Sequence, residues 1–335
     1  MDGDNSLADK LRENTIKIDA FIEGILTPRK PEVLYEASRH IVLSGGKHLR
    51  PYLVMKSCEV VGGDPESAIP YASALELLHN FTLVHDDVMD HDEIRRGQPT
   101  VHVKWGVPIA IASGDFLFAK VFQAMVEPAL QGKLSSDRAI ECVKRVTDAT
   151  ISLCEGQVLD MSYPANGLVS EGDYLEMVGG KTASLFRACA ETGAIVGGGQ
   201  PEEVDLLGSF AWNAGIGFQI VDDVLCLTAD EETLGKPAGS DIREGKKTLI
   251  MVHALSNASP QQLRLIKKVL GVSSASQKET ELVIGVLSEI GSIGYAMSKA
   301  LEYREKAMEK IMKFQESPAR SELIEMVDYF INRTY

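Results

Sequence analysis

Positive charge is in short supply in this chain relative to negative charge. Against 48 Asp and Glu stand 34 Lys and Arg, a formal net charge of −14, and no long Lys/Arg block offsets it. That balance argues against general electrostatic attraction to nucleic acid or to an anionic membrane. Any anionic ligand must be held by a local basic cluster. Cysteine is also sparse: Cys58, Cys142, Cys154, Cys189 and Cys226 are an odd number with no C-x-x-C spacing. They read as reduced core thiols of a cytosolic protein rather than a disulfide framework. No uninterrupted apolar run is long enough to span a bilayer. The opening MDGDNSLADKLREN is acidic and lacks both an apolar signal core and the Arg-rich character of a transit peptide. A cytoplasmic protein is therefore expected.

Sustained alternation of apolar and polar residues is hard to find, which removes most strands from consideration. Apolar residues instead recur at helical spacing, as in Leu11, Ile16, Ile18 and Phe21, then Leu34, Ile41 and Leu43. Between such segments lie TPRKPE, SGGKH, VGGDPES and SNASPQQ, which combine Gly, Pro and N-capping residues that end one helix and begin the next. The expectation is an all-α chain with a substantial core, and, with no composition shift to divide it, one domain over residues 1–335. The most polar long connection, Asp230 to Lys247, reads as a flap over a site.

One stretch concentrates chemistry. In LELLHNFTLVHDDVMD the apolar residues predict a buried helix from about Ile69 to about His91, with Asp86 and Asp90 one turn apart on the same side. Two carboxylates that close repel unless a cation sits between them, and Mg²⁺ suits, because it binds through one or two carboxylates plus water and substrate phosphate oxygens. An isolated D-D-x-x-D is usually just a solvated helix end. Here it is followed by Arg95 and Arg96, planar forks for phosphate, and by Gly97 and Pro99, which fix a turn. Metal-binding acids beside phosphate-binding bases point to a metal diphosphate ligand.

Further on, GFQIVDDVLCLTADEETLGKP repeats the arrangement: an apolar helix from about Trp212, then Asp222 and Asp223, then a polar loop with Lys236. With GGKHLRP at Gly45 to Pro51, DDVMD-x-x-x-x-RRG, GDFLFA, EGQVLD, KTASLF and GKPAGSDIREGKKT, the chain resembles the trans-isoprenyl diphosphate synthases, or polyprenyl synthetases, over nearly its whole length. The resemblance implies a bundle of mostly antiparallel helices around a deep central cavity, usually a homodimer. It implies that Asp86 and Asp90 ligate two Mg²⁺ ions and Asp222 a third, with Asp87 and Asp223 in support. An allylic diphosphate would also be held by Arg95, Lys181, Lys236 and Lys246. Isopentenyl diphosphate would lie against Lys47, Arg50, His79 and Arg96, with Thr182 and Gln219 lining the reacting centre. Cys226 stands where many relatives carry a third aspartate, and a buried thiol suits Mg²⁺ poorly, so it is left out of the metal site.

The implied reaction is ionisation of the allylic diphosphate, attack by the isopentenyl double bond and loss of a proton, repeated until the cavity is full. Phe81, five residues before the first aspartate, with the small Thr82 after it, resembles the floor of the archaeal-type geranylgeranyl diphosphate synthases. The helical wheel by itself favours Thr82, which lies nearer the carboxylate face. A farnesyl or longer-chain synthase is the nearest alternative. A terpene cyclase would not need GGKHLRP and Arg96, and non-catalytic subunits typically lose acids that are kept here. In INRTY, Arg333 is a lone candidate for the basic tail that such enzymes fold over the second substrate.

Overall fold

The computed structural model describes residues 7–165, 169–229 and 238–332. The chain forms two compact units, Met1–Thr147 with Ala188–Gly208 and Phe314–Leu323, and Asp148–Arg187 with Ser209–Lys313 and Ile324–Tyr335. Both are helical, as the spacing of apolar residues predicts.

In the first unit, helices α1 (Leu7–Ile25), α2 (Glu32–Val42), α3 (Leu49–Val60) and α4 (Pro65–Met89) lead to a short hairpin, then α5 (Val101–Trp105) and α6 (Val107–Leu130). Helix α4 is the centre of this unit, packed by α1, α3 and α6. It buries side chains on almost every side, among them Tyr71, Leu75, Leu77, Leu78 and Val84. Its start at Pro65 precedes the expected Ile69 by about one turn. Asp64 caps it, its carboxylate accepting from the Glu66 N–H at 3.0 Å, and Pro65 occupies the first turn. Pro70 costs one backbone bond inside the helix, and burial of the flanking side chains offsets it.

Two features that helical periodicity does not give appear in this part of the chain, and one expectation is corrected in α7 (Ser136–Ser162), which follows it. Residues Ile94–Arg95 (β1) and Gln98–Pro99 (β2) form a two-stranded antiparallel hairpin, the sole sheet among the described residues. Its turn residues Arg96 and Gly97 have φ of 52° and 71°, the paired positive values of a two-residue hairpin. Helix α6 is, by length and composition, apolar enough to cross a membrane, with 39% of its most apolar stretch buried. Asp115 and Lys120 interrupt the run in the sequence, yet the helix as a whole stays apolar. Finally, Cys154 is exposed on α7, on the same outward side as Ile151 and Val158, so it is not a core thiol.

In the second unit, the end of α7 is followed by α8 (Glu171–Val178), a π-helical turn (Gly179–Ala183), and the start of α9 (Ser184–Gly197). A Ser170/Asp173 capping box opens α8. Helix α10 (Pro201–Thr228) carries the second acidic pair near its end; it begins well before Trp212, with Glu202 and Glu203 in its first turn. Then come α11 (Ser240–Glu244), α12 (Leu249–Asn257), α13 (Pro260–Val269), α14 (Gln277–Glu289), α15 (Ser292–Ile311) and α16 (Pro318–Asn332). Ile216, Ile220, Leu249, Ile250 and Ala296 belong to the core of this unit. Phe186, Phe218 and Phe330 add a ring cluster with centroids 4.9 to 5.6 Å apart.

Candidate active site

The first acidic pair sits on the closing turn of α4. The Asp90 N–H donates to the Asp86 carbonyl at 2.8 Å, so the helical register that puts both carboxylates on one side holds through the C-cap. Asp87 points elsewhere. It is 1% exposed, and its Oδ1 accepts from Arg95 Nε at 2.5 Å, while Oδ2 is buried with no hydrogen-bond partner among the described residues. Burial raises its pKa, against the pull of Arg95. Arg95 also lies 3.5 Å from Asp92.

The hairpin sends the two adjacent arginines to different places. Arg96, at the turn, donates to the carbonyls of Ile41 and Gly45, and its guanidinium fills the space a side chain at Gly46 would need, 3.2 Å from that Cβ position. A side chain at Gly46 would push that guanidinium aside by a few tenths of an ångström. Arg50, Arg96 and Arg95 all act on His79: burial drives the imidazole pKa well below its ordinary value, and the three positive charges push the same way. His79 is thus a neutral ring among cations. Lys47 is exposed at the same corner, just before His48, whose φ of 46° turns the chain into α3.

Phe81 faces α6: its ring lies 5.0 Å from that of Phe118 and 4.7 Å from that of His85. Phe118 in turn meets Phe122 at 5.1 Å. Thr82 is 8% exposed and spends its hydroxyl on the His79 carbonyl at 2.8 Å. Gly114 lets α6 approach α4, since a Cβ there would stand 2.3 Å from His85 Nε2.

In the second unit a cavity of about 310 Å³ gathers Lys181, Thr182, Gln219, Asp222, Asp223 and Lys246. Lys181 pairs with Asp160 at 2.5 Å, and Lys246 with Asp241 at 3.3 Å and Glu244 at 3.0 Å. Burial pulls the Lys246 pKa down, but Asp241 and Glu244 outweigh it and hold the ammonium above its ordinary range. The Asp223 pKa is also raised, pushed up to about 7 by burial first and then by Asp241. Its two oxygens accept from the Tyr174 hydroxyl (2.7 Å) and from Gln219 Nε2 (2.9 Å), and Gln219 Oε1 accepts from the Thr182 hydroxyl (2.9 Å). Cys226 lies 3.6 Å from Ser240 Oγ, its thiol pushed up to about 12 by burial and by Asp241. A neutral thiol is no ligand for a hard cation.

Lys181 and Thr182 stand on the π turn, a local widening that frequently marks functional sites. Two glycines make it possible. A Cβ on Gly156 would lie 2.2 Å from the Lys181 backbone nitrogen, and one on Gly180 would lie 2.6 Å from the Ser152 carbonyl oxygen. Sequence reasoning missed Tyr174, Asp160, Asp241 and Glu244 as cavity residues. The last three stand within or beside recognisable motifs; Tyr174 carries no signal. Lys236 and Arg333 lie outside the described residues, as does Asp230–Pro237 of the expected flap.

Residues 31–287 match the polyprenyl synthetase family. The chain belongs to that family. Among polyprenyl synthetases it is 41% identical to the geranylgeranyl diphosphate synthase of Methanosarcina mazei, over 98% of this chain and 99% of that one. It is 42% identical to the short chain isoprenyl diphosphate synthase of Methanothermobacter thermautotrophicus, over 98% of each. The crystal structure of a geranylgeranyl pyrophosphate synthetase from Pyrococcus horikoshii superposes with a TM-score of 0.92 at 42% identity, covering 98% of both chains. The architecture is thus the all-α isoprenoid-synthase bundle.

Polyprenyl synthetases work with Mg²⁺, and the donor set here fits that ion. The candidate ligands Asp86, Asp90 and Asp222 offer carboxylate oxygens, the hard donors that Mg²⁺ takes. Among the described residues no three His, Cys, Asp or Glu side chains close into a ready-made cage. Mg²⁺ does not require one, since water and substrate phosphate complete its octahedron.

Proposed function

We propose that this chain condenses isopentenyl diphosphate head-to-tail with allylic diphosphates and releases geranylgeranyl diphosphate, a precursor of isoprenoid lipids. What supports this reading most is the arrangement around α4: an acid pair at the end of an apolar helix, with the neutral His79 two turns below and the positive charges of Arg50, Arg96 and Arg95 acting on it. Asp86 and Asp90 would hold two Mg²⁺ ions and Asp222 a third, with Asp87 and Asp223 assisting through hydrogen bonds. Bound there, Mg²⁺ would supply Lewis-acid charge to the leaving diphosphate.

Arg95, Lys181, Lys236 and Lys246 hold that diphosphate as its C1–O bond breaks, and cations fixed in advance stabilise the growing negative charge more than they stabilise the ground state. Lys47, Arg50, His79 and Arg96 hold the second diphosphate so that the isopentenyl double bond faces the allylic C1. A new carbon–carbon bond forms there, and the proton released from the adduct passes to the departing pyrophosphate. Thr182 and Gln219 line the reacting centre. Phe81 ends the space for the tail, with Thr82 behind it. The protein acts as one domain, as a homodimer and in the cytoplasm.

A second reading keeps the chemistry and shortens or lengthens the product, and the broader name of the Methanothermobacter relative favours retaining it. Purified protein incubated with labelled isopentenyl diphosphate and an allylic primer distinguishes them by chromatography of the product. A C20 alcohol after phosphatase treatment is expected, with none formed in EDTA. Undiminished turnover in EDTA refutes the metal mechanism, and a product of any other length refutes the chain-length assignment.

A further inference from the structure

Asp223 accepts two hydrogen bonds from neutral donors, one on each carboxylate oxygen. The Tyr174 hydroxyl donates to Oδ2 at 2.7 Å and Gln219 Nε2 donates to Oδ1 at 2.9 Å. Tyr174 is fully buried, rising from α8, and Asp223 is 8% exposed on α10. Beyond Gln219 the series continues, because its Oε1 accepts from Thr182 on the π turn at 2.9 Å. Each member has its direction set by the one before. Gln219 presents its NH₂ to Asp223 Oδ1, so its carbonyl is left to face the Thr182 hydroxyl. The Thr182 proton is then committed to Gln219, and the hydroxyl offers lone pairs to the cavity it lines.

We propose that Tyr174 is a positioning residue, which, by holding Asp223, orients Gln219 and turns the lone pairs of Thr182 toward the carbocation. The inference rests on the prenyl-transfer reading and deepens it. Its physical content is that a hydroxyl which can rotate stabilises positive charge only when its proton points away, and that fixing this orientation beforehand removes the cost of reorganisation during reaction. Tyr174 touches neither substrate in this scheme. Its hydroxyl acts through two intervening side chains.

The test is Tyr174→Phe, which keeps the ring and removes the hydroxyl that donates to Oδ2. The expected result is a fall in kcat of about 10-fold, the scale of one hydrogen bond to a charged group. The KM for each diphosphate and the Mg²⁺ concentration for half-maximal rate are expected to move less than about 2-fold. The same exchange made on top of Thr182→Val should cost nothing more, since the far end of the series is already cut. An unchanged kcat overturns the proposal. So does full additivity with Thr182→Val, or a rise in the Mg²⁺ requirement, which would make Asp223 a ligand instead.

Should Tyr174→Phe not fold, 3-fluorotyrosine at position 174 keeps ring and hydroxyl while making the latter a stronger donor. A change in kcat at constant KM is then expected, and an unmoved kcat overturns the proposal. Failure of the unsubstituted protein to form any prenyl product would refute the proposed function itself. Normal turnover with an insensitive Tyr174 would refute the positioning role alone.

Discussion

Asp86 illustrates how a residue's neighbours decide its chemistry. Its register with Asp90 follows from helical spacing, which the order of residues already displays. Asp86→Ala is expected to lower kcat by about 10²-fold, the usual loss when one fixed stabiliser of transition-state charge is removed. A purified variant of wild-type thermal stability with near-normal kcat would contradict the role. Sequence position groups Asp87 with the same pair, yet it is turned inward to Arg95. No rule of spacing separates a carboxylate that faces a cavity from one that anchors an arginine.

Phe81 makes the complementary point. The helical wheel favours Thr82 as the residue nearer the acids, and only resemblance points to Phe81. Thr82 is occupied with its own helix, whereas the Phe81 ring stacks toward Phe118. One helical turn rises ~5.4 Å, about the length of an isoprene unit. Phe81→Ala should therefore extend the product by one or more units, visible as C25 or longer alcohols on reversed-phase chromatography. A product distribution still ending at C20 would show that another side chain closes the tail space.

Among the elements, the hairpin and the π turn are the two that helical periodicity does not reveal. In the sequence RRG reads as two phosphate-binding forks leading into a turn. A two-residue turn with both φ values positive splits it, placing Arg95 on a strand and Arg96 at the tip. The π turn depends on glycines contributed by segments far apart in sequence. The Gly156 Cβ position lies 2.2 Å from the Lys181 nitrogen, which is backbone and has little room to yield. Gly156→Ala gains helix propensity but must displace the turn that carries Lys181 and Thr182. Overpacking of this kind costs about 1 to 3 kcal/mol, more than the ~1 kcal/mol that alanine returns. Urea unfolding of the variant should show a lower midpoint and its kcat should fall. An unaltered midpoint would mean that the turn adapts freely.

The pH dependence of stability belongs to the molecule as a whole. The His79 pKa is lower in the folded protein than the ~6.5 of the unfolded chain, so the unfolded state takes up more protons as pH falls below that value. The stability that depends on a neutral His79 is present above about pH 6.5 and is lost below it. Asp223 opposes this: its pKa rises from 3.8 to about 7, so the folded state keeps a proton that the unfolded state has released. Its contribution declines as pH rises from about 4 to about 7. A difference measurement isolates the histidine. His79→Gln should lose less stability than wild type between pH 7 and pH 5.5 in urea titrations without Mg²⁺. Parallel losses in the two proteins would show that His79 is protonated equally in both states.

The helical class, the two acidic motifs and the family could all be read along the chain, because helical periodicity, capping residues and short motifs are local properties. Every type of side chain that the reaction needs is visible there too. Which of those side chains meet emerges only on folding. That His79 is held neutral among arginines, that Gln219 and Thr182 are joined to a buried tyrosine, and that Asp241 raises Asp223 all depend on groups far apart in the chain. Burial and charge act through space, and neither distance nor desolvation is written in the order of residues.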